Sequence, residues 1–342
     1  MLLPEAIRRV PKVDLHVHLE GTITPDLVKR IAHRNKITLP ESLLKREGQT
    51  FQWKEDPTPL GSLRAFLQAY DDATGVLRTA QDYIDVTYDY LKRSADEGCI
   101  YSEIMISADH ASMVGLSWPE FLDAVTKGYE KAKAETGIEM RLISTCVRHY
   151  GPEGALKVGE LTRQHPHPLV TGFGMAGDET AFTMADFKPA FDASGLKGRT
   201  AHAGEATGAG TVREARNVLK VRRFGHMVRA IEDPAVMEEQ KAINAVPEVC
   251  VSSNLALKVY TDYRKHPLRK FFDYGLKVVL GSDDPTFFRT SIGREYQVAQ
   301  EKFGFTDKEL QKLSRNAVEE AFIDDQTRAL LLARVESFKA AA

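Results

Sequence analysis

Residues 11–21 read PKVDLHVHLEG, and within 13–18 the apolar Val13, Leu15 and Val17 alternate with Asp14, His16 and His18. A period of two is the signature of a strand, and it places His16 and His18 on one face. Seven more β-like runs follow, at 100–106, 140–147, 169–175, 199–203, 222–227, 249–252 and 278–281. Several are rich in Val and Ile, as buried parallel strands are; the fifth and sixth are the most polar. Helical patterns lie between them, clearest at 80–96, 118–135, 153–163, 212–219 and 267–274. Strand alternating with helix eight times predicts an α/β fold, a (β/α)8 TIM barrel.

Two segments depart from this rhythm. Residues 35–79 form a long excursion after the first strand, and 61–70 within it has Leu63, Phe66, Leu67 and Tyr70 on one helical face. An insertion there sits over the barrel mouth, as a helical lid or as a packing helix. The other departure is a helical tail at 306–339. With no repeat, linker or low-complexity stretch, 1–342 is read as a single domain.

Composition narrows the function. The chain has 46 basic and 48 acidic residues, net charge −2, and no basic tract, so no nucleic-acid groove is expected. The opening MLLPEAIRRVPKVD lacks a basic region followed by an apolar core, and no run reaches the ~18 apolar residues of a membrane span. A cytoplasmic protein with no membrane partner is expected. Cys99, Cys146 and Cys250 lie in apolar surroundings without a CxxC pair and read as buried thiols.

Four segments carry chemistry: His16-Val17-His18, His202-Ala203-Gly204-Glu205, Gly225-His226 and Ser282-Asp283-Asp284-Pro285. They fall at the ends of strands one, five, six and eight, where a barrel builds its active site. Three imidazoles, His16, His18 and His202, with the Asp283 carboxylate, make a credible open zinc sphere. Taken singly, such histidines are as often surface or packing residues. Glu205 follows His202 by three, with Gly204 turning the chain, and could stand beside a metal-bound water as a general acid/base. Alone it would read as a surface loop glutamate. His226 alone would be structural, and Asp284 a turn residue before Pro285. His33, His110, His149, His165, His167 and His266 form no cluster and read as surface or capping residues. Trp53 reads as a packing residue, with a stacking platform as the alternative.

The stretches PKVDLHVHLEG, MAGDE (175–179), TAHAGE, RRFGH, CVSSN and GSDDP, in this order from Pro11 to about Leu313, resemble the motifs of adenosine deaminases and their relatives. The resemblance implies a (β/α)8 barrel with one Zn2+ per chain on His16, His18, His202 and Asp283. It implies that Glu205 transfers a proton at purine N1, that His226 orients the attacking water, and that Asp284 meets N7. Gly177 would face N3, and Glu20 with the Leu63/Phe66 helix would lie near a ribose. The expected reaction is hydrolytic deamination of adenosine or 2′-deoxyadenosine, with ammonia released. The alternative is free adenine or a modified 6-aminopurine.

The chain departs from the usual pattern at Gly174, Met227, Val251 and Met105. The metal and proton-transfer positions are intact, so these changes bear on the substrate and not on the reaction. Met227 is expected close to the pocket. A two-metal amidohydrolase would need a bridging lysine at the end of strand four, and GFGMAGD offers none. A non-catalytic zinc barrel would have no use for Glu205.

Overall fold

The computed structural model describes residues 3–44, 46–48, 50–52, 56 and 58–339; Trp53 lies outside them. Eight strands form the central sheet: β1 (Lys12–His18), β2 (Cys99–Ile106), β3 (Glu139–Val147), β4 (Val170–Ala176), β5 (Gly198–Ala203), β6 (Arg223–His226), β7 (Val246–Val249) and β8 (Val279–Leu280). They pair in parallel in chain order, as sequential βα units dictate. Beyond β8 the ring meets β1: the Asp283 N–H donates to His16 O (2.8 Å), and the His18 N–H donates to Asp283 O (3.0 Å). This is the expected barrel, with its helices packed around the outside.

One strand assignment needs correction. The seventh strand is Val246–Val249, whereas Val251–Ala256, which overlaps the stretch read as strand, is a short helix. The true strand reads Val-Pro-Glu-Val. Its proline and buried Glu248 hide the apolar run that marks the other strands. The remaining seven agree with the sequence reading to within one or two residues.

The excursion after β1 contains the helix Pro59–Thr74. Thr58 caps it by accepting from the Gly61 N–H (3.1 Å), and Pro59 occupies the first turn. Its buried face carries Leu63, Phe66 and Tyr70, with the Phe66 ring packed on Phe288 (centroids 4.7 Å apart). The helix thus roofs the mouth of the barrel. The tail is two helices, Asp307–Glu320 and Asp325–Glu336. The segment between them closes the opposite end, where Phe322 lies under the Arg223 guanidinium (4.0 Å) and its N–H donates to Glu103 (2.5 Å). All three cysteines are free and buried. Among the described residues no helix is long and apolar enough to cross a membrane.

Candidate active site

The strand ends bring the four segments together. Ligand atoms of His16, His202, His226 and Asp283 all lie within 4.8 Å of one another, and all four residues are buried. His18 joins from the cavity side, its Nε2 3.4 Å from Asp283 Oδ1, and forms a second such group with Asp283 and Asp284. The His16 and His202 Nε2 atoms face each other at 3.2 Å. Pairing of β1 with β2 shifts register between Asp14 and Val17, an irregularity that re-aims the strand at His16. Asp283 and His226 hold left-handed backbone (φ 60 and 62), a conformation costly for residues with a side chain. At Asp283 the two backbone hydrogen bonds to β1 enforce it.

Two imidazoles are fixed from behind. His16 Nδ1 meets Glu248 Oε2 at 2.7 Å, and His202 Nδ1 meets Met175 O at 2.9 Å. Both contacts make Nδ1 the donor and leave the Nε2 lone pair for the cluster. Burial would raise the pKa of Glu248, but the Arg223 charge and the His16 hydrogen bond outweigh it and hold it at about 2. Arg223 in turn bridges Glu248 (2.7 Å) and Glu103 (2.6 Å) across the buried barrel floor. Burial and the neighbouring histidines push His202 well below its ordinary range, so it is neutral. Burial disfavours a charged His16, yet Asp283 and Glu248 raise its pKa to about 10. With several neutral-capable imidazoles, one hard oxygen and anchored second partners, this donor set suits a divalent metal of the zinc type.

A second chain of contacts sets His226 and Glu205. The Leu268 N–H donates to His266 Nδ1 (3.2 Å), so His266 carries its proton on Nε2 and donates to Asn254 Oδ1 (3.1 Å). That fixes the Asn254 amide, whose Nδ2 donates to Glu205 Oε1 (3.3 Å) and to His226 Nδ1 (3.2 Å). His226 is then the Nε2–H tautomer, and its Nε2 lies 3.5 Å from Glu205 Oε2. Burial lowers both His226 and His266 to about 3, which keeps them neutral.

Glu205 follows a left-handed turn at Gly204 (φ 71). Its loop is tied down by Glu179, which accepts from the backbone N–H of Glu205 (3.2 Å) and of Thr207 (2.7 Å). Burial, with the charges of Asp283 and Glu179, pushes Glu205 well above the usual carboxylate range, which favours its protonated form. Asp284 is also raised, by burial and then by Asp283, and its Oδ1 has no hydrogen-bond partner. Gly21 lies so close that an added Cβ would fall 1.9 Å from that oxygen, so no side chain fits there.

His18, His202, Glu205, His226, Asp283 and Asp284 line a cavity of about 690 Å³, mouth included. Gly177, Glu20 and the roof helix also border it. Three histidines read as surface or capping residues need correction. His110 (5 % exposed) and His149 line the cavity, and His266 (3 % exposed) belongs to the Asn254 chain. His33 and His165 are exposed, and His167 caps a turn, its Nδ1 accepting from the Leu169 N–H (3.3 Å). Met227 is fully buried and does not border the cavity, whereas Met105 does. Glu248, Asn254 and Glu179 went unassigned in the sequence. Asn254 and Glu179 at least stood inside recognisable motifs, CVSSN and MAGDE.

Comparison with known proteins places these features in a family. A family model described as adenosine deaminase matches residues 11–338. An adenine deaminase of Rhizobium rhizogenes is 42 % identical over 327 residues, 95 % of this chain and 98 % of that protein. One of Sinorhizobium medicae is 42 % identical over 325 residues, 94 % and 97 %. Among solved structures, an adenine deaminase from Arthrobacter aurescens superposes with a TM-score of 0.85 at 29 % identity, covering 95 % of this chain and 98 % of that one. A zinc-bound amidohydrolase from Burkholderia ambifaria shares the fold, with TM-score 0.85, 22 % identity and coverage of 98 % and 93 %.

Proposed function

The chain belongs to the adenosine deaminase family and is a deaminase of the hydrolase class, and from that premise we propose that it converts adenine, or a closely related 6-aminopurine base, to the 6-oxopurine with release of ammonia. The sequence reading ranked adenosine first and adenine second. The relatives that match nearly the whole chain carry the name adenine deaminase, and this reverses the order. The observation that carries the chemistry is the buried Glu205 carboxyl, its Oε2 3.5 Å from His226 Nε2, beside the His/Asp cluster.

We assign one zinc to His16, His18, His202 and Asp283, with His226 next to it. When bound, the metal supplies Lewis-acid activation of a water. The rest is done by side chains. Glu205 gives its proton to N1 of the purine, which leaves C6 electron-poor. His226, held as the Nε2–H tautomer, orients the attacking oxygen and stabilises the charge that develops. Asp284, whose Oδ1 has no hydrogen-bond partner in the protein, meets N7, and Gly177 faces N3. As the oxygen adds to C6 and the C6–N bond breaks, one water proton restores Glu205 and the other leaves on ammonia.

Two measurements follow. Across adenine, N6-methyladenine, adenosine and 2′-deoxyadenosine, kcat/KM is expected to be highest for a free base. A clear preference for adenosine would return the assignment to the nucleoside. Glu248→Gln removes the charge that orients His16, and second partners of this type are worth about 10–100-fold in metal affinity. Competition with a chromogenic chelator should show that loss. Unchanged affinity would mean that His16 is held by other contacts.

A further inference from the structure

We propose that Glu20 reads the bare N9–H of a free purine base, and that this contact excludes nucleosides; the inference rests on the deaminase reading above. Glu20 begins the turn Glu20–Thr22 directly after β1 and is 1 % exposed. Its Oε2 accepts from the Tyr70 hydroxyl at 3.1 Å. Its Oε1 is buried and has no hydrogen-bond partner. His110 Nδ1 lies 3.7 Å from Oε1, an ion-pair contact when the ring is protonated but longer than a hydrogen bond, and it too has no hydrogen-bond partner. A buried carboxylate oxygen without a donor is costly, so the position calls for a donor from whatever fills the cavity.

The cavity indicates which donor. Under the reading above, Glu205 and the His/Asp cluster take the N1–C6 edge of a purine and Asp284 takes N7; Glu205, Asp283 and Asp284 all border the cavity. Glu20, Tyr70, His110 and Tyr150 border it as well, with Tyr70 and His110 ring centroids 5.7 Å apart. N9 shares the five-membered ring with N7, and Gly21, next to Glu20 in the chain, lies against Asp284 Oδ1, so Glu20 borders that ring. In a free base N9 carries a hydrogen that Glu20 Oε1 can accept. In a nucleoside N9 carries a sugar carbon, which leaves Oε1 unpaired and presses the ribose into buried rings. A site built around a hydrogen bond discriminates strongly against the analogue that lacks the donor. The sequence resemblance placed Glu20 beside a ribose; here Tyr70 already occupies one of its oxygens and closes the space beside it.

The probe is 9-methyladenine, which keeps the base and loses only the N9–H. With the metal-replete full chain, adenine is expected to exceed 9-methyladenine and adenosine in kcat/KM by about 10²-fold or more, the scale of a lost charged hydrogen bond plus a clash. Glu20→Ala should collapse the adenine to 9-methyladenine ratio by about 10–10²-fold, and Glu20→Gln, which can still accept, by less. Calorimetric binding of hypoxanthine and 9-methylhypoxanthine should show the same ratios without turnover. If Glu20→Ala does not fold, Glu20→Gln and the wild-type binding ratio carry the test. Equal turnover or binding of the methylated and bare bases by the wild type would overturn the proposal. So would a Glu20 variant that weakens both ligands equally. Failure of the deaminase reading looks different: the wild type would release no ammonia from any aminopurine, and the calorimetric ratio would still decide whether Glu20 reads N9.

Discussion

Glu205→Gln is expected to lower kcat for adenine by about 10²–10⁴-fold, the usual contribution of a general acid/base, while the protein keeps its metal. Glutamine is nearly isosteric, and its amide oxygen can still accept from Asn254 Nδ2, as Glu205 Oε1 does at 3.3 Å. The loop stays in place because Glu179 holds it through the backbone N–H groups of Glu205 and Thr207. What is lost is the proton. Burial and the Asp283 charge favour the protonated form of Glu205, and an amide has no acidic proton to give to N1. Steady-state kinetics and metal analysis on the same preparation check this. Near-normal kcat would remove Glu205 from proton transfer, and a metal-free variant would make it a ligand.

Removal of the metal by chelation is expected to take activity to background, and zinc to restore it. His16, His202 and Asp283 place ligand atoms within 4.8 Å of one another in a buried centre, and His18 Nε2 lies 3.4 Å from Asp283 Oδ1, with Glu248 and the Met175 carbonyl oxygen fixing two of the rings. A metal that binds only the folded chain also stabilises it, so the chelated protein should melt at a lower temperature. Full activity in protein verified to be metal-free would contradict the assignment.

The barrel and its four chemical segments were legible because both signals are local. Val13–Val17 alternates over a few residues and carries His16 and His18, while His202, His226 and Asp283 each sit at or just beyond the end of a β-like run. What could not be read depends on groups far apart in the chain. Glu248 was hidden in a strand whose proline and charge erase the apolar pattern, and its purpose appears only with His16 and Arg223 packed against it. Asn254 stood in a motif, but its role needs His266 on one side and both Glu205 and His226 on the other. His110 looked like a surface residue because its burial is supplied by the roof helix, through Tyr70, and by Tyr150. Met227 drew suspicion by its place after His226, yet its left-handed backbone (φ 58) turns it into the core and away from the cavity.

Hydrolytic deamination of a free aminopurine base is tested most directly by incubating the zinc-loaded chain with adenine in ¹⁸O-labelled water and following base and ammonia together. The expected result is hypoxanthine carrying the label at C6, with one ammonia released for each base consumed. Adenine left intact under conditions that deaminate adenosine would contradict the base assignment, and absence of ammonia from both would contradict the deaminase reading as a whole.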